Sequence, residues 1–544
     1  MSSTEYQVDR RELHFVVNET LQAGKLCEFP DFAEFDEEMF TMIINEASTF
    51  AEQVLAPLNV NGDRQGCRIE NGTVVTPDGF TDAWKQLGEG GWLSMSLPPE
   101  FGGQGIPELI AVIGKETQLA ANQGFTIGAS LTTGAANLIY TFGSDVQKNE
   151  FCQNMFSGKW AGTMCLTEPH AGSAVGDVIT IATKQEEGHY LIKGTKQFIT
   201  NGDHDMADNI VHLLLARTPN SQQGSKGISL FIVPKKRPDG SQNDITLVSI
   251  EHKMGINGSP TCVLSFGDND DCHGYLLEAE NMGMEQMFKL MNEARLLVGL
   301  QGLAGASAAV QNAWAYANER TQGPSSIHPE KKASIIEFPD VRRMLMHMKA
   351  VTEGLRALMY TSAWYIDMAN HGPEAHSEKY QDLLDLHIPI CKAFGTDQGF
   401  DVARTGIQVL GGVGFTKHFP LEQNIRDQKI GSIYEGTNGI QALDLVGRKF
   451  TSKKGQLIKV LEKELCWFDN RSLEGELKGW VAEWNNYRTL MFESIDCMIK
   501  IGETKGKDGY VLYAANMLDL MGDVLCCFYL LKQAETAQNK WKGM

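Results

Sequence analysis

Residues 426–441 read RDQKIGSIYEGTNGIQ, and the reading of this stretch decides the rest. Glu435 stands between Tyr434 and Gly436 and precedes Thr437–Asn438, a pair suited to starting a helix. A carboxylate among apolar and aromatic neighbours loses hydration, so its pKa rises and its ionised form is a stronger base. An isolated glutamate in such a stretch is more often a cap or a surface residue, so its surroundings must carry the weight. Upstream, QVLGGVGF at 408–415 sets two glycines after an apolar run. Helical periodicity covers about 339–449, and 284–321 reads as one long helix with Met284, Met287, Met291 and Leu297 on one side. The segment between them, QGPSSIHPEKKASI at 322–335, reads as a polar loop with two prolines.

Before residue 283 the period changes to two. The run HYLIKGTKQFIT at 189–200 reads as strand, turn at Gly194, strand. The stretches 210–216, 228–233 and 261–266 are β-branched and aliphatic runs between turn residues, and predict a mostly antiparallel β domain. From about 36 to 160 the pattern is helical again, with Phe40, Ile43, Ile44 and Ala47 on one face, and SLPPEFGGQG at 96–105 breaks it as a Pro-Gly loop. Residues 1–35 show no strong period, and the last ~95 carry helix-like stretches with Trp467, Trp480 and Trp484. The predicted class is a multidomain α+β protein: N-terminal extension 1–35, helical domain 36–160, middle β domain 161–280, helical domain 281–450, helical extension 451–544.

Composition narrows the chemistry. A net charge of −20 argues against a nucleic-acid partner, which needs a basic surface. No apolar run approaches the ~18 residues of a bilayer span, so no membrane span is expected. The N-terminal residues lack the apolar core of a secretory signal. The 11 cysteines are scattered and odd in number, as in a reduced, cytoplasmic protein. There is no phosphate-binding G-x-x-x-x-G-K-[ST], no G-x-G-x-x-G after a strand, no H-E-x-x-H, no cysteine cluster and no G-x-S-x-G. The 13 histidines are dispersed, and no metal is expected.

Two further segments carry information. CLTEPHAGSAVGD at 165–177 is a turn of small residues whose N–H groups near Gly172 and Ser173 could approach a phosphate or a flat ligand. KQFITNG at 196–202 ends a strand on Thr200 and an Asn-Gly turn. Together with PPEFGGQG at 98–105, YANERTQG at 316–323, QVLGGVGF and the Glu435 stretch, in this order, the chain resembles the acyl-CoA dehydrogenase family over about 36–450. The N-terminal segment EYQVDRRELHF, the loop PEKKASIIEFPDVRRML at 329–345 and YEGTNGIQALDLVGRK at 434–449 are similar to the larger bacterial branch with extensions at both ends, which includes 3-methylmercaptopropionyl-CoA and long-chain acyl-CoA dehydrogenases.

The resemblance implies an FAD-dependent oxidation of an acyl-CoA to the trans-2-enoyl-CoA within fatty acid β-oxidation. Glu435 would take the α-proton and flavin N5 the β-hydride. Met164, Leu166, Thr167, Phe198, Ile199 and Thr200 would line the flavin, and Ser173 would lie near its pyrophosphate and the CoA arm. Arg320, Gln322, Gln408, Gly411 and Gly412 would reach the FAD of a neighbouring subunit, and Thr437 would be a further flavin contact. Asn292, Arg295, Tyr434 and Gly436 would serve the substrate, with Asn292 replacing the family's usual acid. The resemblance implies a homodimer, or a homotetramer, that hands electrons to an electron-transfer flavoprotein. Two other readings share these residues: an acyl-CoA oxidase, and a catalytically silent binding or assembly protein.

Overall fold

The computed structural model describes residues 6–543, apart from the side chains of 288–293, 507–508 and 541–543. In chain order the principal helices are α1 (Glu37–Phe50), α2 (Ala56–Gln65), α3 (Phe80–Glu89), α4 (Glu108–Ala121), α5 (Gln123–Phe142), α6 (Gly283–Glu319), α7 (Pro339–Asn370) and α8 (Glu374–Leu410). They continue as α9 (Leu421–Gln428), α10 (Asn438–Asp444), α11 (Gln456–Leu465), α12 (Gly475–Lys505) and α13 (Ala514–Gly543). Strands β1 (Arg68–Glu70) and β2 (Thr73–Val75) form a small hairpin. Strands β3 (Trp160–Cys165), β4 (Ile181–Lys184), β5 (Tyr190–Thr200), β6 (Asn209–Arg217), β7 (Ile228–Pro234), β8 (Ile245–Ile250), β9 (Thr261–Phe266) and β10 (His273–Leu276) form one eight-stranded sheet. By packing, the chain divides into a unit of 53–106 with 121–294 and a unit of 1–52, 107–120 and 295–544.

In the first unit the sheet runs β10-β7-β6-β4-β5-β9-β8, and β10 also pairs β5, which curls the sheet toward a barrel. Pairing is mostly antiparallel, with β3 parallel to β6. Strands β6 and β7 are buried along almost their whole length, because both of their faces are covered. Val211, Leu213, Leu215, Ile228, Leu230 and Ile232 pack with Ala135, Ala136, Leu138 and Ile139 of α5. Leu214, Ala216, Phe231 and Val233 point the other way, into a core with Tyr190, Ile192, Leu264 and Phe266. Each of the Val, Leu, Ile and Phe side chains among these contributes roughly 1.5–3 kcal/mol by burial.

The expected turn at Gly194 is not there. Strand β5 continues through it unbroken, pairing β4 on one side and β9 on the other. A Cβ on Gly194 would lie 2.4 Å from Thr180 Oγ1, so this glycine permits a close strand approach. The β1–β2 hairpin was likewise illegible as strand, because its six residues are half polar and only Val74 is buried in a core.

In the second unit α7 and α8 form the central antiparallel pair, and α6 crosses α8 at backbone contact. A Cβ on Gly299 would lie 2.4 Å from the Cys391 carbonyl, and one on Gly302 would lie 2.2 Å from that of Gly395. Segment 107–120 belongs here for identifiable reasons. Asp367 of α7 accepts from the N–H groups of Glu108 and Leu109 at 2.7 and 2.9 Å, satisfying the start of α4. Arg356 of α7 donates to Glu116 of α4 at 2.9 Å, both side chains being buried.

The C-terminal helices pack onto α7 and α8. Tyr529 of α13 meets the Tyr365 hydroxyl at 3.3 Å and His387 Nε2 at 3.4 Å, and Trp484 Nε1 of α12 donates to the Val524 carbonyl at 3.0 Å. One expectation about this region is corrected. Ala514–Lys540 is long and apolar enough to cross a bilayer, with a mean hydropathy of 1.5 in its most apolar window. The residues of that window are 61% buried inside the unit, so packing against α7, α8 and α12 accounts for the apolarity.

Candidate active site

The first unit presents a wall built from β3, the turn after it and the end of β5. The turn is held from beneath by a buried ion pair. Glu168 accepts from Lys196 Nζ at 2.8 Å, from the Thr180 hydroxyl and N–H at 2.5 and 3.1 Å, and from the Ile179 N–H at 2.8 Å. Lys196 also donates to the Leu166 carbonyl at 3.1 Å, and the Gln197 N–H donates to that of Thr167 at 2.9 Å. Burial pushes the Glu168 carboxyl up, but the Lys196 ammonium and the donors outweigh it and hold it below the usual carboxylate range. Burial pulls the Lys196 ammonium down against the attraction of Glu168.

Opposite that turn, β5 bulges between Lys196 and Ile199. Phe198 sits in the bulge at φ +60° and is 58% exposed, a left-handed conformation that costs a bulky residue roughly 1 kcal/mol or more. Met164, Leu166, Thr167 and Thr200 are half-buried around it, and Ser173 and Gly172 are exposed. Ile199 differs from its neighbours. Its side chain belongs to the core with Leu264 and Phe266, so only its backbone faces this wall. A large apolar ring left outward on a strained bulge, beside half-covered apolar residues and a Gly172 whose Cβ position is open, fits a flat ring system with a phosphate arm.

The second unit carries Glu435 on a turn between α9 and α10. Thr437 caps α10, its hydroxyl accepting from the Ile440 N–H at 3.3 Å, which is the helix start the Thr-Asn pair predicts. The turn itself is left-handed at Glu435 (φ +54°) and Gly436 (φ +81°). A glutamate there is strained, as residues at functional sites commonly are. Gln441 Nε2 reaches back to the Gly436 carbonyl at 3.2 Å and the Glu435 carbonyl at 3.5 Å. Tyr434 turns into the bundle, where its hydroxyl donates to Gln301 Oε1. Among the described residues the Glu435 carboxylate has no hydrogen bond and no ion pair, and its N–H has no acceptor. Burial raises its pKa above the ordinary carboxylate value, and Lys392 and then Arg295 oppose that rise. Arg295 is buried, its guanidinium 3.9 Å from the Cβ position of Gly436 and only loosely paired with Asp444 at 3.8 Å.

The remaining sequence candidates lie elsewhere on the second unit. Arg320 and Gln322 are neighbours after α6, and in the amide orientation that satisfies both, Gln322 Oε1 accepts from Arg320 Nη2 at 2.6 Å. Gln408, Gly411 and Gly412 are exposed at the end of α8, and nothing lies within 4 Å of the Cβ position of either glycine. Asn292 lies outside the described side chains.

Comparison with known proteins decides the family. Sequence models of the N-terminal, middle and C-terminal acyl-CoA dehydrogenase domains match residues 37–159, 163–269 and 281–450. The chain belongs to the acyl-CoA dehydrogenase family. It is 40% identical over 484 residues to the 3-methylmercaptopropionyl-CoA dehydrogenase of Ruegeria pomeroyi, covering 88% of this chain and 81% of that protein. It is 33% identical over 566 residues to the broad-specificity linear acyl-CoA dehydrogenase FadE5 of Mycobacterium tuberculosis, covering 98% and 90%. The fold is shared with the acyl-CoA dehydrogenase of Bacillus anthracis solved with FAD, at a TM-score of 0.77 and 24% identity over 97% of this chain and 86% of that one. The chain is thus an FAD-dependent acyl-CoA dehydrogenase, and the wall on the first unit fits the ring of FAD.

Sequence reading passed over three residues. Glu168 and Lys196 were visible only as parts of longer motifs. Lys392 carried a signal of its own, a single lysine within the apolar run IPICKAFG at 388–395.

Proposed function

We propose that Glu435 is the base that removes the α-proton of an acyl-CoA. The supporting observation is a half-buried carboxylate on a strained turn with no partner among the described residues and a pKa raised by burial. A thioester α-proton is too weakly acidic for a carboxylate unless hydrogen bonds stabilise the enolate. The unoccupied N–H of Glu435 is the donor this chain offers to the thioester carbonyl. When bound, FAD supplies the acceptor for the β-hydride. Met164, Leu166, Thr167, Phe198 and Thr200 cover its ring from the protein side, and Ser173 serves its phosphates. Ile199 offers backbone alone. Arg295, Tyr434 and Gly436 shape the substrate side, and Thr437 holds the base's turn as cap of α10. Arg320, Gln322, Gln408, Gly411 and Gly412 are proposed to meet the FAD of a second copy in a homodimer.

The substrate reading is a linear acyl-CoA, because the relatives named above act on a linear or methylthio-substituted acyl chain. Transfer of electrons to an electron-transfer flavoprotein, a place in β-oxidation and a cytoplasmic location complete the proposal. All eleven cysteines are free thiols, in keeping with a reducing compartment.

Glu435→Gln tests the reading. The variant should retain FAD, while substrate-driven bleaching of the flavin slows by at least about a thousandfold. Bleaching at the wild-type rate would remove Glu435 from the mechanism. Run with a panel of acyl-CoA chain lengths, the wild-type assay ranks substrates. Peroxide formed at the rate of aerobic turnover would instead make the protein an oxidase.

A further inference from the structure

Burying an ammonium without a carboxylate partner is costly. Lys392 of α8 is such a group, with 0% of its surface exposed. Among the described residues no ion pair holds it. Its Nζ donates instead to Asn438 Oδ1 at 2.8 Å, and Asn438 opens α10 three residues after Glu435. The Asn438 amide donates to the Thr396 hydroxyl at 3.0 Å and to the Ala393 carbonyl at 3.1 Å. The Thr396 hydroxyl donates to the Lys392 carbonyl at 2.8 Å. A closed set of hydrogen bonds thus ties the turn of Glu435 to one register of α8, with the lysine at its centre.

The charges around this set are few. Glu435, Asp397 and Arg295 face Lys392. Lys392 and Arg295 face Glu435, and Tyr434 is its ring neighbour. Arg295 in turn is faced by Asp444, Arg448 and Glu435.

We propose that Lys392 is a positioning residue for the dehydrogenation: through Asn438 it fixes the left-handed turn that presents Glu435, and its buried charge keeps that carboxyl in the proton-accepting form. The inference rests on the reading of Glu435 as base. Burial alone would leave the base protonated over more of the neutral range, and a cation in direct contact would quench it. A lysine held on an asparagine avoids both extremes, because its charge acts on Glu435 without forming a pair. Burial pulls the Lys392 ammonium down to about 8, so it still carries its charge at neutral pH. Arg295 does not replace it, since its charge is shared with Asp444.

The experiment compares Lys392→Met, Lys392→Gln and Lys392→Arg in the FAD-loaded enzyme. It reads the pH profile of flavin bleaching by substrate. It also reads, without substrate, the infrared titration of the carboxyl band that Glu435→Gln removes. Lys392→Met should move both the acid limb and the carboxyl titration up by about one pH unit, with bleaching about tenfold slower on that limb. Lys392→Arg should return both toward wild type. Should Lys392→Met fail to fold, Lys392→Gln, which keeps a donor toward Asn438, carries the same expectation. Asn438→Ala should slow bleaching while the acid limb moves less than in Lys392→Met. A charge-removing variant that folds and leaves both titrations in place overturns the proposal, even if its rate is low, because that is the pattern of a merely structural lysine. Wild-type bleaching by Glu435→Gln would sink the reading of the base itself, and the two failures are distinguishable.

Discussion

At the residue scale the protein uses three buried or half-buried charges in different ways. Glu435 is strained and, among the described residues, unpaired, which suits a group that must take and return a proton. Lys392 is paired with an amide, which leaves its field available. Lys196 is spent on Glu168, which in turn holds the turn of Leu166 and Thr167. Breaking this last pair by Lys196→Met leaves a buried carboxylate uncompensated and should cost roughly 3–5 kcal/mol in a urea melt. FAD retention on a desalting column should fall with it, because the wall loses its support. The pH dependence follows from the depressed carboxyl. The contribution of Glu168 is complete above the unfolded carboxylate pKa and is lost as pH falls through its lower folded value. Wild-type stability should therefore drop in acid with a slope that Glu168→Gln reduces. An unchanged slope would mean that the pair is not ionised in the folded protein.

At the element scale the decisive feature is the crossing of α6 and α8. Gly299 and Gly302 meet the backbone of Cys391 and Gly395, and Gly399 returns the contact against Gly302. The close approach brings Gln301 of α6 beside Tyr434 and Lys392 of α8 beside Asn438, so the crossing sets the support of the turn that carries Glu435. Gly302→Val would place side-chain atoms where a Cβ is already 2.2 Å from the Gly395 carbonyl. The helices must part, at a cost of about 1–3 kcal/mol or more. Thermal melting should show the loss, and bleaching of the FAD-loaded variant should slow because the turn of Glu435 moves with its support. A variant that melts like wild type would show that the crossing gives way freely.

At the scale of the whole molecule, the C-terminal helices are part of the helical unit that carries Glu435. A Cβ on Gly522 of α13 would lie 2.4 Å from the Phe394 ring, two residues from Lys392, so α13 seats directly behind that stretch of α8. Removing residues 451–544 would bare Tyr365, His387 and Phe394 together. The truncated chain should aggregate or fail to retain FAD, as judged by size-exclusion chromatography with absorbance of the flavin. A soluble truncation with wild-type bleaching would show that the extension is dispensable.

The order α, β, α, α was legible from period alone, because apolar residues at three and four, or at two, report which face of an element is covered. Helix α6 and strands β6, β7 and β9 fall within a residue or two of their expected bounds. Local composition marked Glu435 as a carboxylate open to desolvation, and Thr437 caps its helix as residue type predicts. The sequence did not reveal that β5 runs unbroken through Gly194, that α13 is apolar because it is packed, or that Lys392 lies beneath the turn of Glu435. Each depends on a partner distant in the chain: Thr180 and β9 for Gly194, α7 and α8 for α13, Asn438 for Lys392. Periodicity and capping are properties of neighbours within a few residues, so the chain alone specified its elements and the cap that follows Glu435. Burial and electric field are sums over everything that folding brings near, so only the tertiary structure decided which groups surround the Glu435 carboxylate.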